Sequence, residues 1–268
     1  VWLERVPFVS ASYVFALAAA KEAAGEQHYP QGSLYVVATP IGNRADISLR
    51  ALHVLTLADP VACEATRHTQ QMLRAYGIAK SAGPLLAVHQ HNEAEAANAV
   101  VDRLRQGQRV AYVSDAGTPG ISDPGARLVA AVQVQGLRAL PLPGASSITA
   151  LISVAGCASD TGGGTGFVFE GFLPTKATER IHAVAALQTE VRAVALLEAP
   201  HRIEATAAAL GALGNRKVTV GRELTKQFEE IATLPAAELA AWFAADANRL
   251  RGEFALVLHP APAAEAGQ

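Results

Sequence analysis

The chain has 268 residues, enough for roughly two domains of about 150 residues each. Half of the residues are hydrophobic and 17% are charged, which excludes wholesale disorder; 22 Lys and Arg against 24 Asp and Glu, net −2, exclude a globally basic nucleic-acid coat protein but not a local basic patch. Cys63 and Cys157 make neither a disulfide framework nor a CxxC metal pair, which fits a reducing cytoplasm, and no apolar run reaches the roughly 20 residues of a membrane span.

Residues 1–32 read as an N-terminal extension. Val6 to Ala20 is modestly apolar and ends in three alanines, loosely like a signal peptide, but Glu4 offsets Arg5, and a short helix is the expectation. From Ser33 the pattern becomes regular. Leu34–Ala38 is a short buried strand, closed by the turn Thr39-Pro40-Ile41-Gly42-Asn43. Asp46 is placed to cap a helix whose apolar stripe runs from Ile47 to Ala58. A strand at Pro60–Cys63 and a helix from Thr66 to Tyr76, stopped by Gly77, come next. Leu85–Val88 is the third strand; Asn92 and Glu95 form a capping-box-like start to a helix ending near Gln106. Arg109–Val113 feeds the loop Ser114-Asp115-Ala116-Gly117-Thr118-Pro119-Gly120, then a helix from Pro124 and a strand at Leu137–Leu142.

The second half alternates again. A helix at Ser146–Ala155 and the glycine run Gly162–Gly164 precede strands at 167–170, 193–197, 217–221 and 253–259, with helices at 178–188, 201–213 and 236–245 between them. Glu229–Thr233 reads as an extra edge strand, which makes a mixed sheet an option there. The expected fold is α/β with largely parallel sheets: one domain at 33–141, a second at 142–260, and a frayed tail at 261–268.

Ligands of open α/β sheets bind beyond the carboxyl ends of strands, which draws attention to the loops at 39–43 and 114–120. The plain alternative is that both are tight strand-to-helix turns. There is no GxGxxG, no GxxxxGK[ST] and no GxSxG, which disfavours a dinucleotide dehydrogenase, a P-loop NTPase and a serine hydrolase. Glu64-Ala65-Thr66-Arg67-His68-Thr69 gathers an acid, a base, an imidazole and hydroxyls, or is simply a helix N-terminus with Thr66 as its cap and Glu64 before it. His89 and His91 flank Gln90 without a third metal ligand at suitable spacing, so no metal is expected. Pro200-His201-Arg202 reads in part as an ordinary helix start, and Arg222-Glu223-Leu224-Thr225-Lys226 as a surface ion-pair cluster.

Taken together these strings resemble the ribosomal RNA small-subunit methyltransferase I family, within the tetrapyrrole methylase superfamily. The match runs from Leu34 to Leu258: LYVVATPIGNRADISLRAL (34–52), EATRHT (64–69), HNE (91–93), VSDAGTPGISDPG (113–125), LPGASSITAL (142–151), EGFLP (170–174), APHR (199–202), RELTK (222–226) and GEFALVL (252–258), in order. The resemblance implies two α/β domains with S-adenosylmethionine in the cleft between them. It implies methyl transfer to the ribose 2′-oxygen of a decoding-centre cytidine in 16S rRNA of the small ribosomal subunit, by a homodimer. It also implies that Ser114, Asp115, Ala116, Gly117 and Thr118 line the methionine part and that Pro40 and Gly42 cover the methyl face. Ser146, Ser147, Leu197, Glu198, Leu224, Phe254, Ala255 and Leu256 would surround the adenosine.

Methyl transfer from a sulfonium is an in-line displacement whose main demand is orientation, and orientation can supply about 7–11 kcal/mol. A ribose hydroxyl is a poor nucleophile, so a base or hydrogen-bonding acid helps. Asp115 and Glu64 are the preferred catalytic candidates, ahead of His91, Glu93 and Glu223. Arg67, His68, His91, Asn92, His201, Arg202 and Lys226 are the candidates for RNA contact, where phosphate contacts position without reading sequence. Three features depart from the family. Ala65 stands where members usually carry Asp, the run Gly162–Gly164 looks inserted, and the basic C-terminal segment of some members has no counterpart. Two rival readings are a tetrapyrrole ring-carbon methyltransferase and a non-catalytic cofactor-binding scaffold.

Overall fold

The computed structural model describes residues 13–79, 85–89, 92–157 and 166–261. Expectations at His91, the run Gly162–Gly164, residues 1–12 and most of the tail lie outside them. The chain forms two compact units: Arg44–Ala145 with the chain up to Pro40, and Ile41–Asn43 with the chain from Ser146 on.

In the first unit five parallel strands line up in the order β3-β2-β4-β1-β5: β1 (Ser33–Val37), β2 (Val61–Cys63), β3 (Leu85–Ala87), β4 (Val110–Val113) and β5 (Arg138–Leu142). Side chains alternate between faces along each strand, so apolar runs bury both sides. Tyr35, Val37, Val61, Cys63, Ala111 and Val113 pack towards α2 (Leu49–Leu57) and α3 (Thr66–Ala75). Leu34, Ala62, Val110 and Tyr112 pack towards α4 (Glu93–Arg105) and α5 (Gly125–Val134). The N-terminal helix α1 (Val14–Ala24) belongs to the first of these layers. It lies along α2, Ala20 is buried in the shared core, and Tyr13 meets Tyr76 edge-on at 4.9 Å between ring centroids.

Three helix starts differ from expectation. Ser48, not Asp46, caps α2, its Oγ accepting from the Ala51 N–H at 3.0 Å. Ala65, not Thr66, is the N-cap residue of α3 and offers no side-chain acceptor. Asn92 is the N-cap residue of α4, but its side chain turns back to the preceding loop. Its Oδ1 accepts from the His89 N–H (2.9 Å) and its Nδ2 donates to the Ala87 carbonyl (3.0 Å), so there is no capping box.

The second unit has the sheet β6-β7-β10-β8-β9, built from β6 (Phe167–Phe172), β7 (Ala193–Glu198), β8 (Lys217–Arg222), β9 (Glu230–Pro235) and β10 (Phe254–Leu258). Only β6 and β7 pair in parallel; the other three pairings are antiparallel. The extra edge strand expected near 229–233 is β9. One face packs on α7 (Ala177–Leu187), α8 (Ile203–Leu210) and α9 (Leu239–Ala244), and the other on α6 (Ser147–Ala155). Among the described residues no helix is long and apolar enough to cross a membrane.

Candidate active site

The crossing of connections in the first sheet creates a place for a ligand. From β1 the chain passes β4 to reach β2, through α2 on one face; from β4 it passes β1 to reach β5, through α5 on the other. The loops leaving the adjacent ends of β1 and β4 therefore diverge, and in open α/β sheets this switch point is where ligands bind. The two loops are tied at their base. Thr39 N–H donates to the Gly117 carbonyl (2.9 Å) and Gly117 N–H to the Thr39 carbonyl (3.1 Å). Gly117 sits at φ +80°, a conformation that strains any residue with a Cβ.

The loop's own polar side chains brace it. Ser114 Oγ lies 3.2 Å and 3.3 Å from the carbonyls of Ala116 and Gly117, and Thr118 Oγ1 donates to the Ala145 carbonyl at 3.0 Å. Asp115 Oδ1 accepts from the Ala65 N–H at 3.1 Å, pinning the start of α3 to the β4 loop. Asp123, which sequence reasoning passed over, organises the rest. It accepts from the N–H groups of Gly120 (2.7 Å) and Gly125 (2.8 Å) and from the Tyr112 hydroxyl (2.8 Å). A Cβ on Gly125 would collide with the Tyr112 ring and with Asp123 itself. The Asp-Pro-Gly string was the only signal for this role.

Glu64, at the end of β2, is half-buried beside this loop. Burial raises its carboxyl above the ordinary range, and the negative charges of Asp115 and Asp123 push it further the same way. Arg67 and His68 are exposed on the first turn of α3. Glu93 forms an ion pair with Arg127.

The second unit separates its candidate residues by sheet face. Leu197, Leu224 and Ala255 join Leu151 in one apolar cluster under α6. Phe254 and Leu256 belong to the core on the opposite face, with α8 and α9. Their side chains therefore do not line the Ala255 face, because a strand's alternation cannot put three consecutive side chains on one side. The Glu198 side chain is turned into its own unit. It is 3% exposed, and its carboxylate accepts from the Ala199 N–H (2.9 Å) and the Thr206 hydroxyl and pairs with Arg202 Nε (3.1 Å). Arg202, expected to meet phosphate, also donates to the Leu173 carbonyl and the Thr175 hydroxyl. Lys226, with the same expected role, holds Glu223 (2.8 Å) and Glu253 (2.9 Å). Both cations are thereby tied to groups of their own unit. Glu223 is likewise engaged. Burial alone would raise its carboxyl, but hydrogen bonds from Lys226 and the Glu253 N–H outweigh that and hold it below the ordinary range.

The loop after β8 is strained, with Glu223 at φ 51° and Thr225 at φ 66°. Asn43 N–H donates to Thr225 Oγ1 (3.1 Å), and Gly42 lies against the stem of Lys226. Ser146 and Ser147 are half-buried at the start of α6, Pro40 is half-buried, and Ala116 and His201 are exposed.

The family description "Tetrapyrrole (Corrin/Porphyrin) Methylases" matches residues 33–240. A Pseudomonas aeruginosa protein called Ribosomal RNA small subunit methyltransferase I is 47% identical over 224 residues, covering 83% of this chain and 77% of that protein. The chain belongs to the ribosomal RNA small subunit methyltransferase I family, within the tetrapyrrole methylases. Proteins of the same name from Neisseria meningitidis serogroup A (47% identical, 86% of this chain, 77% of that protein) and Escherichia coli O157:H7 (44%, 85% and 78%) agree. Solved structures similar to this methylase include cobalt precorrin-4 methyltransferase (TM-score 0.61, 17% identity, 87% of this chain and 98% of that one). Another is uroporphyrin-III C-methyltransferase from Thermus thermophilus complexed with S-adenyl homocysteine (0.57, 16%, 85% and 97%). At these identities the likeness concerns the fold.

A member of this family is a methyltransferase, and S-adenosylmethionine is its expected cofactor. The residues at the switch point fit that cofactor: a loop of small residues, exposed at Ala116 and Gly120, beside the carboxyl groups of Glu64 and Asp115, suits a ligand carrying a sulfonium and an ammonium.

Proposed function

We propose that this methyltransferase acts on the ribose 2′-oxygen of a decoding-centre cytidine in 16S rRNA, on the small ribosomal subunit, in the cytoplasm and as a homodimer. The observation that carries this reading is the 44–47% identity, across most of the chain, to proteins called Ribosomal RNA small subunit methyltransferase I. When bound, S-adenosylmethionine supplies a methyl group already activated on a positively charged sulfur. The chain's part is to orient and to handle one proton. The Thr39–Gly117 bridge and the hydroxyls of Ser114 and Thr118 hold the 114–118 backbone rigid for the methionine portion, with Pro40 and Gly42 on the methyl side. For the adenosine, the resemblance alone points to Leu197, Leu224 and Ala255, with Ser146 and Ser147.

Glu64 is the preferred proton acceptor. A carboxylate whose pKa is raised is a stronger base than an ordinary one, whereas Asp115 is engaged through Oδ1 with the Ala65 N–H. Asp115 then acts mainly by holding Glu64's strand end and by its charge. Arg67, His68 and His201 are the exposed groups for RNA phosphates, with Asn92 shaping the β3–α4 loop. The test is mass spectrometry of ribose methylation in small subunits incubated with the protein and S-adenosylmethionine, with uroporphyrinogen as the competing acceptor. Methylation at a cytidine 2′-oxygen supports the reading; methyl transfer only to the tetrapyrrole, or to neither, overturns it. Asp115→Asn keeps an Oδ1 acceptor for the Ala65 N–H, so it separates charge from loop geometry. Reduced transfer with folding intact is expected, and unchanged turnover would remove Asp115 from the mechanism.

A further inference from the structure

We propose that the first unit carries a second ligand site, on the outer part of its sheet by edge strand β5, for a small organic phosphate with a flat apolar portion, the nucleotide class. The proposal does not rest on the rRNA reading above. A cavity of about 320 Å³ opens there, at the lower end of the range of small-molecule pockets (about 300–1,000 Å³). Its charged lining is one-sided. Arg50, in the first turn of α2, and Arg138, at the start of β5, both face it, with His28 beside them and no carboxylate among the described lining residues. Neither guanidinium is hydrogen-bonded or ion-paired to another described residue, in a protein whose net charge is −2.

The two tyrosine hydroxyls of the lining are already engaged. The Tyr29 hydroxyl donates to the Ala24 carbonyl (3.0 Å) and the Tyr35 hydroxyl to the Pro30 carbonyl (2.8 Å). Tyr29 and Tyr35 are themselves buried, so the apolar surface left to a ligand comes chiefly from Leu140 and Pro141. Two guanidinium forks match the roughly −1.5 to −2 charge of a phosphomonoester better than the single charge of a carboxylate or an internal phosphodiester. The apolar floor accommodates a base. The phosphomonoester can come from a free mononucleotide or from the terminal phosphate of an RNA strand.

The test is titration calorimetry on the full chain with cytidine 5′-monophosphate, inorganic phosphate, and a short RNA with and without a 5′-phosphate. Binding of the mononucleotide, tighter than inorganic phosphate and weakened at least about tenfold in the Arg50→Ala/Arg138→Ala double variant, is expected. S-adenosylhomocysteine binding should be the same in both proteins, which reports intact folding. A 5′-phosphorylated RNA that outcompetes the mononucleotide identifies RNA ends as the source; the reverse identifies free nucleotide. No mononucleotide binding at about 10 mM, affinity unchanged in the double variant, or displacement by S-adenosylhomocysteine overturns the proposal.

Discussion

In the first unit all five strands run parallel, their loops diverge at a switch point, and the charged groups around that point are left partly uncompensated. Glu64 is raised by burial and by neighbouring carboxyls, and Arg67 and His68 are exposed. In the second unit three of four strand pairings are antiparallel, and the charges near the strand ends close on one another: Glu198 on Arg202, Lys226 on Glu223 and Glu253. Charge near a strand end thus has two different uses here. Left uncompensated, as around Glu64, it shifts a carboxyl's affinity for its proton; mutually satisfied, as around Glu198, it holds a loop. The strained Glu223–Thr225 turn belongs to the second kind, because the hydrogen bonds from Asn43 and to Glu229 offset a backbone cost of about 1–3 kcal/mol per residue.

The sharpest way to break this contrast is at Glu198. Glu198→Ala removes the buried partner of Arg202 and the acceptor of Thr206, and should destabilise the second unit by about 3 kcal/mol. Chemical denaturation followed by hydrogen exchange of β7 and α8 would measure it. A loss below about 1 kcal/mol would mean that the network is not structural.

Glu64→Gln should behave in the opposite way. Methyl transfer is expected to fall about a hundredfold or more. Stability should not fall at neutral pH. A carboxyl whose folded pKa lies above its unfolded value binds its proton more tightly in the native state, so native stability declines as pH rises between the two values and stays lower above them. Gln removes that decline. The variant's melting temperature should therefore equal or exceed the wild type's at pH 7, and the advantage should vanish below the ordinary carboxyl range. A melting temperature lower at pH 7 than at pH 4 relative to wild type would contradict the assignment.

Smaller effects separate the cations. Arg67→Ala should weaken RNA binding and reduce the salt slope of its affinity by about one, whereas Lys226→Ala should leave that slope alone while costing at most about 1 kcal/mol of stability. The two slopes changing alike would erase the distinction between the units. The smallest change is expected at the family's variant position. Ala65 is the uncapped N-cap residue of α3, so Ala65→Asp should add a cap worth about 1 kcal/mol, diminished by its nearness to Glu64 and Asp115. A gain in melting temperature without a gain in turnover would explain the usual Asp by helix capping, not by catalysis.

The sequence by itself determined the alternation of strands and helices, the two loops beyond β1 and β4, the edge strand β9 and the family. These rest on local rules: the period of apolar residues, Gly and Pro at turns, and strings in a constant order. What only the tertiary structure decided was which groups are occupied. Lys226 reads either as a cation for RNA or as part of a surface ion-pair cluster, and Glu223 with Glu253, far along the chain, makes it the second; Arg202 reads as a cation for RNA until Leu173 and Thr175 appear beside it. Phe254 and Leu256 read as lining residues until the pairing of β10 sets them on the face opposite Ala255. Asp123 gained its role in the same way, by meeting Tyr112 and two loop amides. The physical reason is that hydrogen bonds and ion pairs act within a few ångströms of space and take no account of distance along the chain, so a residue's chemical availability is a property of its neighbours after folding.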